Sequence, residues 1–324
     1  MNQGWPRRVD GASLRALFEH SRPITIGLEE EIMLLDPDSL DLLPRASELI
    51  DGGALDERFK TELPASHLEI ATHFTSSIAD LGDQLWDARQ LLAGHVAGAA
   101  RLAAAGVHPF ASRSGQLSAG AHYHRLSNEY GAIAQQQLVC GLHVHLGLSG
   151  ADRVLAVYNE MRGYLPELSA LAANGAIYDG RDTGMASMRP IISGMLPRQG
   201  VPPPLESWQE FADELAWGRA GHRLARPGEW WWELRPHVQW GTLEVRAPDA
   251  QTTVADAVAV CSVVAGVAIW LAKRYDDSGP FPPVPSWRIN ENRWSAARHG
   301  LTGEMVDLRS GELKPTRQRL YELI

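Results

Sequence analysis

Three consecutive glutamates, Glu29, Glu30 and Glu31, sit inside an apolar run, with Ile24, Ile26 and Leu28 before them and Ile32, Met33, Leu34 and Leu35 after them. Side chains alternate along a strand, so Glu29 and Glu31 share one face of residues 24–35 while Glu30 takes the other. An ionised carboxylate among apolar groups is costly unless a partner compensates it or its pKa moves. A strand with this pattern either runs along a sheet edge with its acids in water or carries cations, and a divalent metal is the economical cation.

The chain has 39 Asp and Glu against 30 Lys and Arg, a net charge of -9, which repels phosphate backbones and anionic lipid, so neither nucleic acid nor a membrane surface is expected as a partner. With 324 residues, 44% apolar and 21% charged, it can bury one large core or two smaller ones. Cys140 and Cys261 lie far apart without a CxxC spacing, which excludes a disulfide framework or zinc ribbon and fits a reducing cytoplasm. Arg7, Arg8, Asp10, Arg15 and Glu19 interrupt the amino-terminal segment, so no targeting peptide is expected. Residues 254–272 approach a bilayer-spanning length, yet Asp256, Ser262, Gly266 and many alanines favour a buried helix.

Apolar spacing at Leu81, Leu85, Leu92, Val96, Ala99 and Ala103 predicts a long helix over 81–105, stopped near Gly106. Strands are expected at 138–148 and 240–248, and a helix over 152–173 in spite of Pro166. Glycines and prolines mark 176–204 as a loop, and Ser207 with Glu210 three residues on reads as the cap of a short helix over 207–217. A Pro-rich connection, 275–287, leads to a last helical stretch over 291–299, and 315–324 also reads as helix. Strands and helices alternate too irregularly for a doubly wound sheet, and neither GxGxxG nor GxxxxGK[ST] occurs. The expected class is α+β, an antiparallel sheet with helices on one face.

Two further strand-like segments carry acids. In 59–72, Glu62 precedes Glu69 by seven residues, and His67, Glu69 and Ala71 share a face; in 241–246, Glu244 and Arg246 sit side by side at i and i+2. Hard oxygen ligands suit magnesium or manganese, which commonly bridge nucleotide phosphates, and a neighbouring arginine can hold a phosphate or carboxylate bidentately. His143 and His145 share a strand face, a pattern open to metal ligation and to ordinary hydrogen-bonded histidines. Zinc fits less well, because the neighbours are carboxylates rather than thiolates. His122 and His124 read as loop histidines lining a substrate entrance.

The blocks GLEEEIMLLD, the Glu62–Glu69 segment, CGLHVHLGL, RDTGMASMRP, WWELRPHVQWGTLEVRAPDAQT and ENRWSAARHGL, in that order over nearly the whole chain, resemble the carboxylate-amine ligases of the glutamate-cysteine ligase type 2 family. The resemblance implies a single catalytic domain, 1–324, similar to the glutamine synthetase core: an antiparallel sheet funnel with helices packed outside. It implies ATP-dependent amide formation through an acyl-phosphate, with ATP and Mg2+ (or Mn2+) as cofactors, glutamate as the typical carboxylate and an amine such as cysteine's. Carried over by position, Glu29, Glu31, Glu62, Glu69, His143 and Glu244 would hold metal; Arg246 and Glu244 would act in catalysis; Arg189, Arg235 and Arg246 would bind nucleotide or substrate anions. It also implies a homo-oligomer, a dimer. Such proteins usually continue through further helices past the last block, so the chain is expected to be a shortened form or to borrow helices from a partner subunit. The rival readings are a metal-dependent amide hydrolase, which would cleave amides without ATP, and a nucleotide-binding homologue without turnover. Glu244→Ala is expected to abolish ATP turnover, read as ADP release, while leaving the fold intact.

Overall fold

The computed structural model describes residues 10–19, 24–50 and 55–324, so that Arg7 and Arg8 lie outside the described residues. Within them, one antiparallel sheet is built from β1 (Thr25–Leu35), β2 (Phe59–Thr61), β3 (His67–Ala71), β4 (Arg101–Ala103) and β5 (Leu142–Gly147). A small hairpin follows, β6 (Ile177–Tyr178) and β7 (Arg181–Asp182), and then β8 (Leu234–His237) and β9 (Thr242–Val245) complete the main sheet. Its order is β2-β3-β1-β5-β9-β8, with β4 also paired to β1. A last hairpin, β10 (Glu304–Val306) and β11 (Leu313–Pro315), stands apart.

The helices are α1 (Gly11–Phe18), α2 (Ala46–Ile50), α3 (Ile78–His95), α4 (Ala121–Tyr130), α5 (Ala132–Gln135), α6 (Ala151–Met161), α7 (Leu165–Ala172), α8 (Arg189–Ser193), α9 (Trp208–Ala220), α10 (Val254–Ser278), α11 (Ser286–His299) and α12 (Thr316–Leu323). The α+β class expected from the sequence is the class observed. α10 passes the length and composition test for a membrane span, yet it is a core helix: Ala257, Val260, Cys261, Val264, Ala265 and Ala268 are buried, and it packs on α3, α6, α7 and β5. Cys140 and Cys261 are unpaired and buried.

β1 is the hinge of the architecture because its two faces do different work. Leu28, Ile32 and Leu34 join Leu142, Val144 and Leu146 of β5, Leu68 and Ile70 of β3, and Leu243 and Val245 of β9 in the main core beneath α3, α6 and α10. Glu30 lies on this apolar face with no exposed surface, and Arg89 of α3 closes on it with two hydrogen bonds of 2.7 and 2.6 Å while also donating to the carbonyls of Gln251 and Thr252.

Several boundaries differ from the sequence reading. The helix expected over 81–105 ends at His95; Gly98 takes φ +79°, and Arg101–Ala103 becomes β4. β5 covers one edge of β1 only as far as Glu30, so Met33–Leu35 still has backbone groups to satisfy, and β4 pairs there. The helix expected over 152–173 breaks into α6, a 3-10 turn at Arg162–Tyr164 and α7, because Pro166 is tolerated in a first turn but not in a helix interior. The loop expected over 176–204 contains β6, β7 and α8, and the strand expected over 240–248 is shorter and forms a hairpin with β8. α9 begins after Ser207 as read, with Ser207 accepting from the Glu210 N–H at 3.1 Å, but runs on to Ala220. α10 extends to Ser278 and α11 starts at Ser286, which shortens the Pro-rich connection.

Replacing Arg89 with methionine strands Glu30 in the core. Breaking a buried pair costs about 3–5 kcal/mol, and the lower end is expected here because burial already raises the Glu30 pKa and lets the carboxyl take up a proton. Urea unfolding should show this loss for Arg89→Met and a smaller one for the double variant Glu30→Met/Arg89→Met.

Candidate active site

The other face of the sheet carries its polar residues in register. Glu31 of β1 stands opposite Glu69 of β3, and Lys60 of β2 stands opposite Glu69 from the far side. Glu29 of β1 stands opposite His143 of β5; His145 of β5 stands opposite Glu244 of β9, which in turn faces Arg235 of β8. Because the side-chain period of a strand is two, alternation on each strand and antiparallel register between strands suffice to make one polar row. Lys60, Glu69, Glu31, Glu29, His143 and Arg235 of the row line a cavity of about 900 Å³, joined by Glu62 just after β2 and Arg246 just after β9, with His145 and Glu244 buried behind them. Two glycines on the polar face of the sheet leave room for neighbouring side chains. A Cβ on Gly141 would lie 2.9 Å from His143 Nε2, and one on Gly27 would lie 2.7 Å from the Phe74 ring.

Four of the lining carboxylates, Glu29 and Glu69, which are buried, and Glu31 and Glu62, which are half-buried, crowd together, and their environments divide them. Burial opposes ionisation of Glu29, yet His143 and His145, with the charge of Lys60, hold its carboxyl well below the usual range. Burial pushes Glu69 up to about 7, and the neighbouring Glu29 charge adds to the push, although Lys60 Nζ donates to it at 2.7 Å. Glu62 is raised well above the usual range by burial and by repulsion from Glu69, Glu31 and Glu29. Glu31 accepts from the Gly141 N–H at 2.5 Å. Lys60, also 3.5 Å from Glu29, has its ammonium stabilised by the two carboxylates against the opposing effect of burial.

Donor atoms converge on two places that could each hold a divalent cation: Glu29, His145 and Glu244, and Glu29, Glu69 and His143, in each case within 4.8 Å of one another. His143 Nε2 and His145 Nε2 are buried without hydrogen-bond partners, which is what unused ligand atoms look like. Burial followed by the Arg246 charge depresses the His143 pKa, so its imidazole is neutral and able to coordinate. Orphaned imidazoles among mutually repelling carboxylates fit a metal, and Glu29 would serve both places. Glu62 and Glu31, expected as ligands from the sequence, line the same cavity but belong to neither group.

Glu244 has no exposed surface. It accepts from Arg235 Nε at 2.6 Å and Nη2 at 3.1 Å and from Arg246 Nη1 at 2.5 Å, and burial notwithstanding, these guanidiniums hold it well below the usual carboxylate range. Removing it would leave two guanidiniums without their shared carboxylate, so the expectation that Glu244→Ala spares the fold does not survive the geometry. Arg246 Nη1 also lies 3.3 Å from His143 Nδ1, at the cavity edge. Arg235 donates its remaining Nη1 to the Gly228 carbonyl. Arg189 lines the cavity but spends Nη1 and Nη2 on the carbonyls of Ala247 and Arg246, at 3.0 and 2.9 Å, and lies 3.9 Å from Asp249. Of the three arginines named from the sequence, Arg246 is therefore best placed to meet an anion, while Arg235 and Arg189 brace the frame around it.

His122 and His124 are not loop residues: both lie in the first turns of α4, with His122 on the cavity wall. Trp231, in the Trp230–Trp232 run expected from the sequence to shape the substrate pocket, lines the cavity, as do Lys60, Tyr123, His237 and Trp240, which the sequence does not single out because their partners come from distant segments. Trp240 packs edge-on to His145 at 4.8 Å and to Phe74 at 5.6 Å, which fixes the His145 ring, while His145 Nδ1 meets Thr242 Oγ1 at 3.0 Å. Arg198, at φ +60°, donates to Tyr130 Oη and to the Glu229 carbonyl and lies over Trp231, holding that wall together.

Residues 25–322 match the profile of glutamate-cysteine ligase family 2. A protein of Rubrobacter xylanophilus named "Putative glutamate--cysteine ligase 2-3" is 35% identical over 322 residues, covering 95% of this chain and 84% of its own. One of Thermobifida fusca, named alike without the final number, is 32% identical over 319 residues, covering 95% and 79%. The fold is similar to that of a bifunctional glutathione synthetase from Pasteurella multocida (TM-score 0.69, 16% identity), with 96% of this chain covering 46% of that one. It is also similar to a glutamate–cysteine ligase from Francisella tularensis in complex with AMP (TM-score 0.66, 13% identity), covering 93% of this chain and 77% of that one.

If Glu29 is common to both cation places, Glu29→Gln should lose most of the thermal stabilisation that manganese gives the native chain, where saturation at a hundredfold excess over Kd adds about 2.7 kcal/mol. Differential scanning calorimetry with and without manganese checks it; an equal shift in both proteins would remove Glu29 from the metal site.

Proposed function

The chain belongs to glutamate-cysteine ligase family 2, and on that footing we propose that it is an ATP-dependent carboxylate-amine ligase forming an amide through an acyl-phosphate, with glutamate as the carboxylate and an amino acid such as cysteine as the amine. The observation that carries this reading is the polar row of Lys60, Glu69, Glu31, Glu29, His143, His145, Glu244 and Arg235, laid across six paired strands beside one cavity that Arg246 also lines. Magnesium or manganese bound there would neutralise phosphate oxygens and polarise the phosphoryl group under attack.

The chain's own residues supply the rest. Glu29, Glu69, His143, His145 and Glu244 offer the donor atoms that would hold the cations. Arg246 projects a guanidinium whose charge two flanking acids, Glu244 and Glu31, stabilise in a buried place, where fixed positive charge acts on a phosphoryl group far more strongly than in water. A substrate carboxylate oxygen forms a bond to the γ-phosphorus of ATP as the bond to the β-γ bridging oxygen breaks, giving ADP and an acyl-phosphate. The amine nitrogen then attacks the acyl carbon, phosphate leaves, and the amine proton passes to solvent or to a basic group of the cavity. The apolar and aromatic walls formed by Leu63, Leu126, Tyr130 and Trp231 keep bulk water from competing for the acyl-phosphate.

An ADP-release screen with ATP and magnesium over pairs of amino acids and amines tests the reading. Release with glutamate and an amine is expected. Amide cleavage without ATP would favour a hydrolase, and nucleotide binding without release would favour a homologue that only binds. Arg246→Met should lower kcat roughly 10²–10³-fold, the usual loss for one transition-state donor, measured as steady-state ADP release on protein with native circular dichroism.

A further inference from the structure

Of the two places where donor atoms converge, one already holds a cation supplied by the chain itself. Lys60 of β2 donates from Nζ to Glu69 Oε1 at 2.7 Å and to Glu29 Oε1 at 3.5 Å, so its ammonium stands between two of the three ligands Glu29, Glu69 and His143. Glu29 turns its other oxygen, Oε2, toward the imidazoles, 3.7 Å from His143 Nδ1 and 3.4 Å from His145 Nε2. Among the described residues no other lysine or arginine pairs with Glu29 or Glu69.

With both carboxylates ionised and His143 neutral, Lys60 leaves one negative charge uncompensated, whereas a divalent cation cancels both. The two cations cannot share the place, because like charges a few ångströms apart among buried groups repel strongly. The two places also differ in how firmly the chain's own cations are held. At Glu244 the guanidinium of Arg235 is buried, bonded to both carboxylate oxygens and anchored on the Gly228 carbonyl. Lys60 has no such anchor. Its side chain is 39% exposed and lines the cavity, and among the described residues Nζ hydrogen-bonds to the two glutamates alone, with the Trp240 ring 5.7 Å away. An ammonium on a flexible four-carbon stem can leave such a place without disturbing the backbone.

We propose that Lys60 is the resident cation of the place formed by Glu29, Glu69 and His143, and that a divalent metal enters there by displacing its ammonium into the cavity. The proposal rests on the reading of the acid row as the metal site of a ligase. While metal is absent, Lys60 keeps the buried acids from being left without any counter-charge. Once metal has entered, the freed ammonium stands at the cavity wall with its charge available to an anion. Lys60 thus sets how tightly one of the two places binds metal, and it does so by competing for Glu69 and Glu29 rather than by acting as a ligand.

Manganese binding, followed by the electron paramagnetic resonance signal of the free ion, compares the native chain with Lys60→Met. Brief acetylation of the native chain, read by peptide mass spectrometry, reports on its three lysines, Lys60, Lys273 and Lys314. At the weaker of its two places Lys60→Met should bind manganese about tenfold or more tightly than the native chain, because a unit charge a few ångströms from the ion is gone. Saturating manganese should raise acetylation of Lys60 severalfold in the native chain and leave Lys273 and Lys314 unchanged, a result that does not depend on how well the variant folds. Unchanged manganese affinity in a folded Lys60→Met overturns the proposal. So does a Lys60 whose acetylation does not rise with manganese, since the ammonium would then repel the metal without giving way to it. If neither protein binds manganese, the metal site and the proposal fall together. ADP release with glutamate and an amine is followed in parallel. Release of Lys60 by manganese without ADP release would reject the ligase reading and leave the role of Lys60 standing; ADP release with no change at Lys60 would do the reverse.

Discussion

Charge on β1 has to be balanced on both of its faces at once, and the rest of the molecule is arranged around that requirement. On the helix side a single carboxylate, Glu30, is enclosed by a single arginine of α3, which also ties down the backbone before α10. On the cavity side Glu29 and Glu31 meet acids, imidazoles and a lysine from neighbouring strands rather than one dedicated partner. Burying a pair that is complete on its own makes a stable layer junction; burying an incomplete set makes a site.

The incompleteness is measurable in the electrostatics. Glu69 and Glu62 are pushed toward neutrality by burial and by the charges of neighbouring acids, while Glu29 and Glu244 are held ionised by neighbouring donors. Acids with opposed tendencies on one surface cannot all be satisfied by Lys60 and a neutral His143, and the unpartnered Nε2 atoms of His143 and His145 mark where further cationic charge is wanted. The helical layer bears the cost of this arrangement: an apolar core running from α1 through α10 supports a sheet face that is itself unfavourable.

Much of this was legible in the sequence. Alternation within β1, the apolar flanks and the Glu244–Arg246 spacing placed the acids on strand faces, and the order of separated blocks pointed to the family. What was not legible depended on partners remote in the chain. Val96, Ala99 and Ala103 continue a helical spacing, yet the bare edge of β1 draws that segment into β4. His122 sits near glycines that suggest a loop, but its turn is the start of α4. Arg189 reads as an anion binder in the sequence, but its donors lie on the carbonyls of Arg246 and Ala247. Lys60 gave no signal at all, being one charged residue in a short strand.

The sequence by itself determined which residues alternate, which acids share a face and which types of ligand were present, because strand periodicity is local and needs no partner. Only the tertiary structure decided that these faces meet. Register between strands brings Glu29 opposite His143 and His145 opposite Glu244, and the same pairing ties Glu244 to two arginines. Whether a carboxylate is a ligand, a brace or a counter-ion depends on distances of a few ångströms across segments far apart in the chain, and spacing along one segment carries no information about them.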